Sequence, residues 1–348
     1  EDPKFALAYA DMAIAYYLLD LNHKEKSYTE QINKFSDQAL LYDSKSDVSL
    51  IAKACYYLQV ADYRLALPHL EKALEYNPNS VAAIHMLSDY YAYHDPNTGK
   101  YLEYALKGVR LDAIGRDSIT SSYSYLQLSN ALVQAGFFKE ALHYVNRSLA
   151  YYPKNYYSPH LKIFVQVSID NDWSAASTKL QKLWYTDTSR MDILQDLAKV
   201  YYAKEQFDSA YFYFKKLVQY REGAGLDLYL HENAKIAHVY GMMGHPAKAD
   251  SLFADYVEYC EKTPSKYQSA HLAVREAYKG DTDQAIKYLK EFSQEDHFQS
   301  WFLLLEQEPL IKQLHSHPHF DAVFQKIKDQ FWRDHREIKK RLEAMALL

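Results

Sequence analysis

Residues 47–80, DVSLIAKACYYLQVADYRLALPHLEKALEYNPNS, decide the fold of this chain. Leu50, Ala54 and Tyr57 fall three or four apart, and so do Ala66, Leu70 and Ala73, so each half carries one apolar stripe at helical spacing. Ala54 and Ala66 are small where two paired helices would cross, and a bulky side chain there would push the axes apart. Tyr57 and Tyr63 fill the remaining gaps. Pro78, in Asn77-Pro78-Asn79-Ser80, cannot continue helical hydrogen bonding and holds the residue before it extended, so one helix-turn-helix unit ends there. Two helices with one stripe each cannot hide both alone, and neighbouring units must stack.

The same register recurs with a period of about 34 residues. Leu87-Ser88-x2-Tyr91 opens a pair with an irregular turn at His94-Asp95-Pro96-Asn97. Tyr125-x2-Leu128-Ser129-x2-Leu132 leads through Gly136 to Ala141-x3-Val145 and Pro153. A weaker unit follows, with Pro159 in its first turn and Asp170-Asn171-Asp172 as its connection; Leu194, Leu197-Ala198-x2-Tyr201 and Ala210-x3-Phe214 restore the pattern. Ile236-Ala237-x2-Tyr240 with Gly244, and Leu272-Ala273 with Gly280 and Ala285-x3-Leu289, mark the last two. The expected units are 3–46, 47–80, 81–113, 122–155, 156–190, 191–224, 230–263 and 266–296, followed by capping helices over 297–348. A chain of 348 residues would ordinarily divide into two or three domains, but stacked units contact only their neighbours and can continue as one array.

The spacing resembles the tetratricopeptide (TPR) repeat, W-x2-L-G-x2-Y followed by A-x3-F and P. That resemblance implies an all-α solenoid, a right-handed superhelix of helix-turn-helix pairs enclosing a concave channel. Projecting the first helix of each unit inward places Tyr17, Ile51, His85, Asp89, Tyr123, Asn130, His160, Phe164, Gln195, Lys199, Tyr202, His231 and His238 on that channel. The chain has 34 tyrosines, many in doublets such as Tyr90-Tyr91 and Tyr201-Tyr202, so one ring can pack while the other reaches the channel. Tyrosine with amides and imidazoles suits a protein or peptide held as an extended segment. A wet groove without a dedicated ligand is the alternative.

The formal charge of −5, from 40 basic and 45 acidic residues, gives no electrostatic case for nucleic acid contact by this segment. No apolar run approaches the roughly 18 residues of a membrane span. Cys55 and Cys260 lie far apart along the array and read as small packed residues, not a disulfide. Nucleotide-binding glycine loops, nucleophile elbows and zinc motifs are absent from the sequence, which points away from an enzyme and from a cofactor. Alternate histidines His315, His317 and His319 could supply metal ligands, but no cysteine stands nearby and Pro318 and Asp321 suit the start of a helix near Phe320, so the set reads as a polar turn and no metal site is expected.

Asp2-Pro3-Lys4-Phe5-Ala6-Leu7-Ala8-Tyr9-Ala10, Glu308-Pro309-Leu310 and Pro318-His319-Phe320 resemble the beginning and end of the TPR region in AraC-type helix-turn-helix regulators of Bacteroidetes-like bacteria, with Glu308 in place of the usual aspartate. The resemblance implies a bacterial sensory or assembly module that reaches DNA through a domain before Glu1, on the cytoplasmic side or, behind a membrane span, the periplasmic one. The chain starts without methionine inside what reads as an inter-repeat turn, as an excised piece of a longer protein would. A free-standing adaptor and a small-molecule sensor are the rival expectations, and the N-terminal face is the expected dimer contact.

Overall fold

The computed structural model describes residues 4–112, 117–262 and 265–345, so Asp2 and Pro3 of the expected array start lie outside the described residues. Helices follow one another as antiparallel pairs: α1 (Ala6–Asp20) with α2 (Thr29–Tyr42), α3 (Asp47–Gln59) with α4 (Tyr63–Tyr76), α5 (Val81–Asp89) with α6 (Thr98–Asp112), and α7 (Ser118–Gln134) with α8 (Phe138–Tyr151). The series continues through α9 (Ser158–Asp170) with α10 (Trp173–Thr186), α11 (Met191–Ala203) with α12 (Phe207–Ala224), α13 (Asn233–Met242) with α14 (Pro246–Lys262), and α15 (Gln268–Lys279) with α16 (Thr282–Phe292). The second helix of each pair also packs on the first helix of the next, which makes an all-α solenoid. Among the described residues no strand forms and no helix is long and apolar enough to cross a membrane.

Local chemistry sets the pairs. The apolar stripes of α3 and α4 are fully buried at Ala54, Ala66, Leu70 and Ala73, and burying a leucine side chain contributes about 2 kcal/mol. Six of the eight turns inside a pair use one residue in the left-handed region. Gly136, Gly244 and Gly280 occupy it in three pairs, and Ala61, Asn171 and Glu205 in three others, with φ of 56°, 57° and 57°. The irregular connection after α5 is a π-helical turn, Tyr90–His94, closed by the Asp95 amide donating to the Tyr90 carbonyl at 3.0 Å. Both cysteines are buried and free, and burial pushes the Cys55 thiol up to about 12.

Two features depart from a simple stack. The loop between α1 and α2 meets the loop after α12, where the Lys24 amide donates to the Gly225 carbonyl (3.0 Å) and the Asp227 amide to the Asn22 carbonyl (3.2 Å). The array therefore curls until its first pair touches its sixth.

The second departure is at the C-terminal end, which does more than close the last pair. After α16 the chain crosses the concave side through a 3-10 segment, Ser300–Gln307, and two short elements, α17 (Pro309–Lys312) and the 3-10 turn Gln313–Ser316. It ends in α18 (Phe320–Ala344), a helix of 25 residues and so about 37 Å long. One end of α18 packs on α16. Farther along, His335 Nδ1 lies 2.9 Å from the Ala135 carbonyl, Arg341 donates to the Gly99 carbonyl (3.2 Å), and Ile338 and Leu342 join the core of α1–α9. Asp334, 5% exposed, accepts the His297 amide at 2.7 Å and fixes the segment where it turns inward. The region expected as a cap is a strut between distant pairs.

Candidate functional site

The inward faces of α5, α7, α9, α11, α13 and α15, with residues 299–308 of the crossing segment, enclose a cavity of about 960 Å³. Helical spacing explains the lining. On α7, Tyr123, Gln127, Asn130 and Gln134 recur every three or four residues toward the cavity, while Tyr125, Leu128 and Leu132 make the core stripe. On α11 the cavity stripe is Asp192, Gln195, Asp196, Lys199 and Tyr202, against Leu194, Leu197 and Ala198 in the core. The π turn after α5 puts Tyr93 on the wall one turn beyond Asp89.

A charged network crosses one wall. Glu232, 1% exposed, lies 2.9 Å from Lys199 Nζ and 2.6 Å from Lys235 Nζ, and accepts the Gln195 side-chain amide at 3.0 Å. Burial pushes its carboxyl up, but the two ammonium groups outweigh that and hold it well below the usual range. Lys235 also pairs with Glu308 of the crossing segment (2.8 Å), whose carboxyl burial pushes up despite that lysine. Glu232 is placed by a left-handed Tyr229 and the buried Arg221, which donates to the Leu228 carbonyl (2.9 Å) and to Asn233 Oδ1 (2.8 Å). His160 sits between carboxylates, with Nε2 3.0 Å from Asp196 and Nδ1 3.4 Å from Asp192, and Arg190 forks onto Asp192 at 2.5 and 2.8 Å.

The opposite wall is aromatic and polar. Tyr93 and Tyr123 are open to the cavity, and the Tyr101 hydroxyl accepts from Asn130 Nδ2 at 3.1 Å. Asp89 accepts from the Gln127 amide at 3.3 Å; although water reaches it, the surrounding helices enclose it and push its carboxyl up to about 6. The crossing segment adds Trp301, edge-on to Phe164 at 6.4 Å, and Gln299, which donates to Gln134 Oε1 at 2.9 Å and to the Ala92 carbonyl at 3.1 Å.

Of the channel residues expected from sequence, His85, Asp89, Tyr123, Asn130, His160, Phe164, Gln195, Lys199, Tyr202 and His231 line this cavity. Three do not. Tyr17 and Ile51 are buried in the core, because α1 packs on α3 and α3 on α5, so the tight curl closes the inner face there. His238 lies behind the wall with Nδ1 3.0 Å from the Tyr202 hydroxyl, and burial pushes it down. Sequence projection missed Glu232, Lys235, His271, Tyr229 and the whole 299–308 wall. A three-residue 3-10 turn, Leu230–Glu232, breaks the helical spacing that would have pointed to Glu232.

His315, His317 and His319 do not converge. His315 Nε2 lies 3.1 Å from the Glu306 carbonyl, and His317 Nε2 lies 2.9 Å from Asp283 while its Nδ1 accepts the His319 amide. Among the described residues no group of three or more His, Cys, Asp or Glu side chains is placed to hold a metal ion.

The chain is similar over 98% of its length, and 98% of the other's, to the Rap conjugation gene regulator of the plasmid pLS20 in complex with the Phr* peptide, at 12% identity and a TM-score of 0.55. It also matches a tetratricopeptide repeat protein from Parabacteroides merdae (14% identity, 82% of this chain and 99% of that one, TM-score 0.44) and YrrB, a TPR protein with an unusual peptide-binding site (16%, 53% and 91%, TM-score 0.36). No protein-family model and no curated protein matches the sequence. The stacked pairs, the left-handed turn residues and the full-length structural match together make this a TPR-type solenoid.

Proposed function

We propose that this chain is a noncatalytic module that holds a protein segment or peptide in its concave cavity. The observation that carries the reading is the lining itself: the exposed rings of Tyr93, Tyr123 and Tyr157 beside the α7 amides Gln127 and Asn130, closed on the far side by residues 299–308. Such a surface pairs with peptide groups through hydrogen bonds while the rings supply contact area at low entropic cost. The Rap regulator that matches along the whole chain was solved with a peptide, which supports the same use here.

The test is affinity selection from pools of random synthetic hexapeptides, comparing the native chain with Asn130→Trp, which sets a bulky ring on the cavity wall. Capture by the native chain and its loss in the variant, with an unchanged melting temperature, is the expected result. Capture unaffected by Asn130→Trp would move the ligand elsewhere.

We further read the module as the regulatory part of a bacterial AraC-like transcription regulator, on the terminal segments that resemble those proteins. Leu18 and Leu19, exposed on α1, support a contact at the N-terminal end. Coding sequence for a helix-turn-helix domain upstream of Glu1 is the expected finding; a start codon or further repeats alone would make the chain an independent adaptor. The cavity volume also lies within the range of small-molecule sites, which keeps a sensor as the second reading.

A further inference from the structure

The charges on the cavity wall do not balance. Asp89, Asp192, Asp196, Glu232 and Glu308 line it, against Lys199 and Lys235 alone among the lining lysines and arginines, with Arg190 forked onto Asp192 from behind the wall. Both lysines are already committed: Lys199 to Glu232 at 2.9 Å and Asp196 at 3.7 Å, Lys235 to Glu232 at 2.6 Å and Glu308 at 2.8 Å. A carboxylate or phosphate ligand would have to displace one of these internal carboxylates and leave it buried without its cation, which is costly. An anionic ligand is disfavoured before its shape is considered.

Asp89 is the counterpart of that argument. No lysine or arginine among the described residues pairs with it; its hydrogen-bond partner is the neutral Gln127 amide, at 3.3 Å. Tyr93, 66% exposed and one π-helical turn along, and Tyr123, 38% exposed and one turn before Gln127, turn ring surface into the same space. A carboxylate among tyrosine rings attracts a cation twice over, through its charge and through the negative faces of the rings. Enclosure by the surrounding helices pushes the Asp89 carboxyl up to about 6, the behaviour of an acid that lacks its cation.

We propose, resting on the peptide reading above, that the ligand presents a positive charge to the cavity, a lysine or arginine side chain or a free N-terminal ammonium, and that this group seats on Asp89 beside Tyr93. The wall of α11 and α13, whose lysines Lys199 and Lys235 are neutralised, then receives the uncharged part of the same peptide. Asp89 thereby selects among peptides, while Asn130 helps to hold them.

The experiment is the same selection on the full chain with two C-terminally amidated hexapeptide pools, one N-acetylated and one with a free amine, read by mass spectrometry of what is retained. The expected result is enrichment of lysine and arginine over aspartate and glutamate by about tenfold or more in the acetylated pool, the size of one charge-assisted contact. Retention confined to the free-amine pool would assign the N-terminal ammonium as the seated group. Asp89→Asn should abolish either preference at an unchanged melting temperature, and Asp89→Glu should restore part of it. Peptides captured in an Asn130→Trp-sensitive way but without a basic preference, or with one that survives Asp89→Asn, overturn the inference and leave the peptide reading standing. No cavity-dependent capture at all removes both.

Discussion

His271 lies within reach of Tyr259, Phe302 and His231, with ring centroids 5.3, 6.4 and 6.3 Å away. Burial above all, with the nearby His231 and Lys235, pushes its imidazole down to about 3, and burial alone pushes His94 down to about 4. Both are neutral in the folded state where an unfolded histidine takes up a proton. The unfolded chain therefore binds more protons between the ordinary histidine range and these lowered values, and stability falls as pH falls through that window. Each residue contributes at most about 1.4 kcal/mol per pH unit. Urea midpoints measured from pH 7 down to pH 4 should decline, and His271→Gln should flatten the slope; an unaltered slope would show that His271 is protonated in the fold. At this scale the inner residues of α5, α7 and α11 were legible because helical spacing alone projects them. Lys235 on α13 faces the cavity too, but the loop around Tyr229 resets the register there, and only the Arg221 anchor reveals where it resumes; His271 faces it from α15.

Among the elements, the turn inside each pair is the most constrained. Gly136 has φ of 84°, and a Cβ there would come within 3.1 Å of Phe331 and 3.2 Å of His335 on α18. Gly136→Ala should therefore cost about 1–3 kcal/mol in a chemical denaturation experiment, from backbone strain together with displacement of α18. Gly244→Ala, with the same sign of φ and nothing within 4 Å, is its control and should cost less. Equal losses at the two sites would mean that α18 gives way freely. The helices and their turns could be read from Gly136, Gly244, Gly280 and the alanine pairs, since those constraints act between residues close in sequence. The path of the crossing segment could not. Gln299 bonds to Gln134 across 165 residues and to Ala92 across 207, and the run from Trp301 to Leu305 reads as apolar whichever surface it covers.

Over the whole molecule, α18 changes what kind of object the solenoid is. An array in which units touch only their neighbours unfolds piecewise, with terminal units opening first. Here Phe331, Ile338 and Leu342 bind the last pair to the third and fourth, so the distant parts should open together. Phe331→Ala removes a ring that is 3% exposed, at a cost of about 3 kcal/mol or more. In the native chain, urea unfolding followed by tryptophan fluorescence and by far-ultraviolet circular dichroism should coincide. In the variant the two curves should separate, and coincident curves in both would show that neighbour contacts alone carry the cooperativity.

The hydrogen bonds from Lys24 to Gly225 and from Asp227 to Asn22 have a mechanical meaning. A coil fastened to itself is no longer a simple spring, because lengthening it between the first and sixth pairs requires breaking the fastening. The 299–308 segment is a second fastening of the same coil, tied through Gln299 to α7 and through Glu308 to α13.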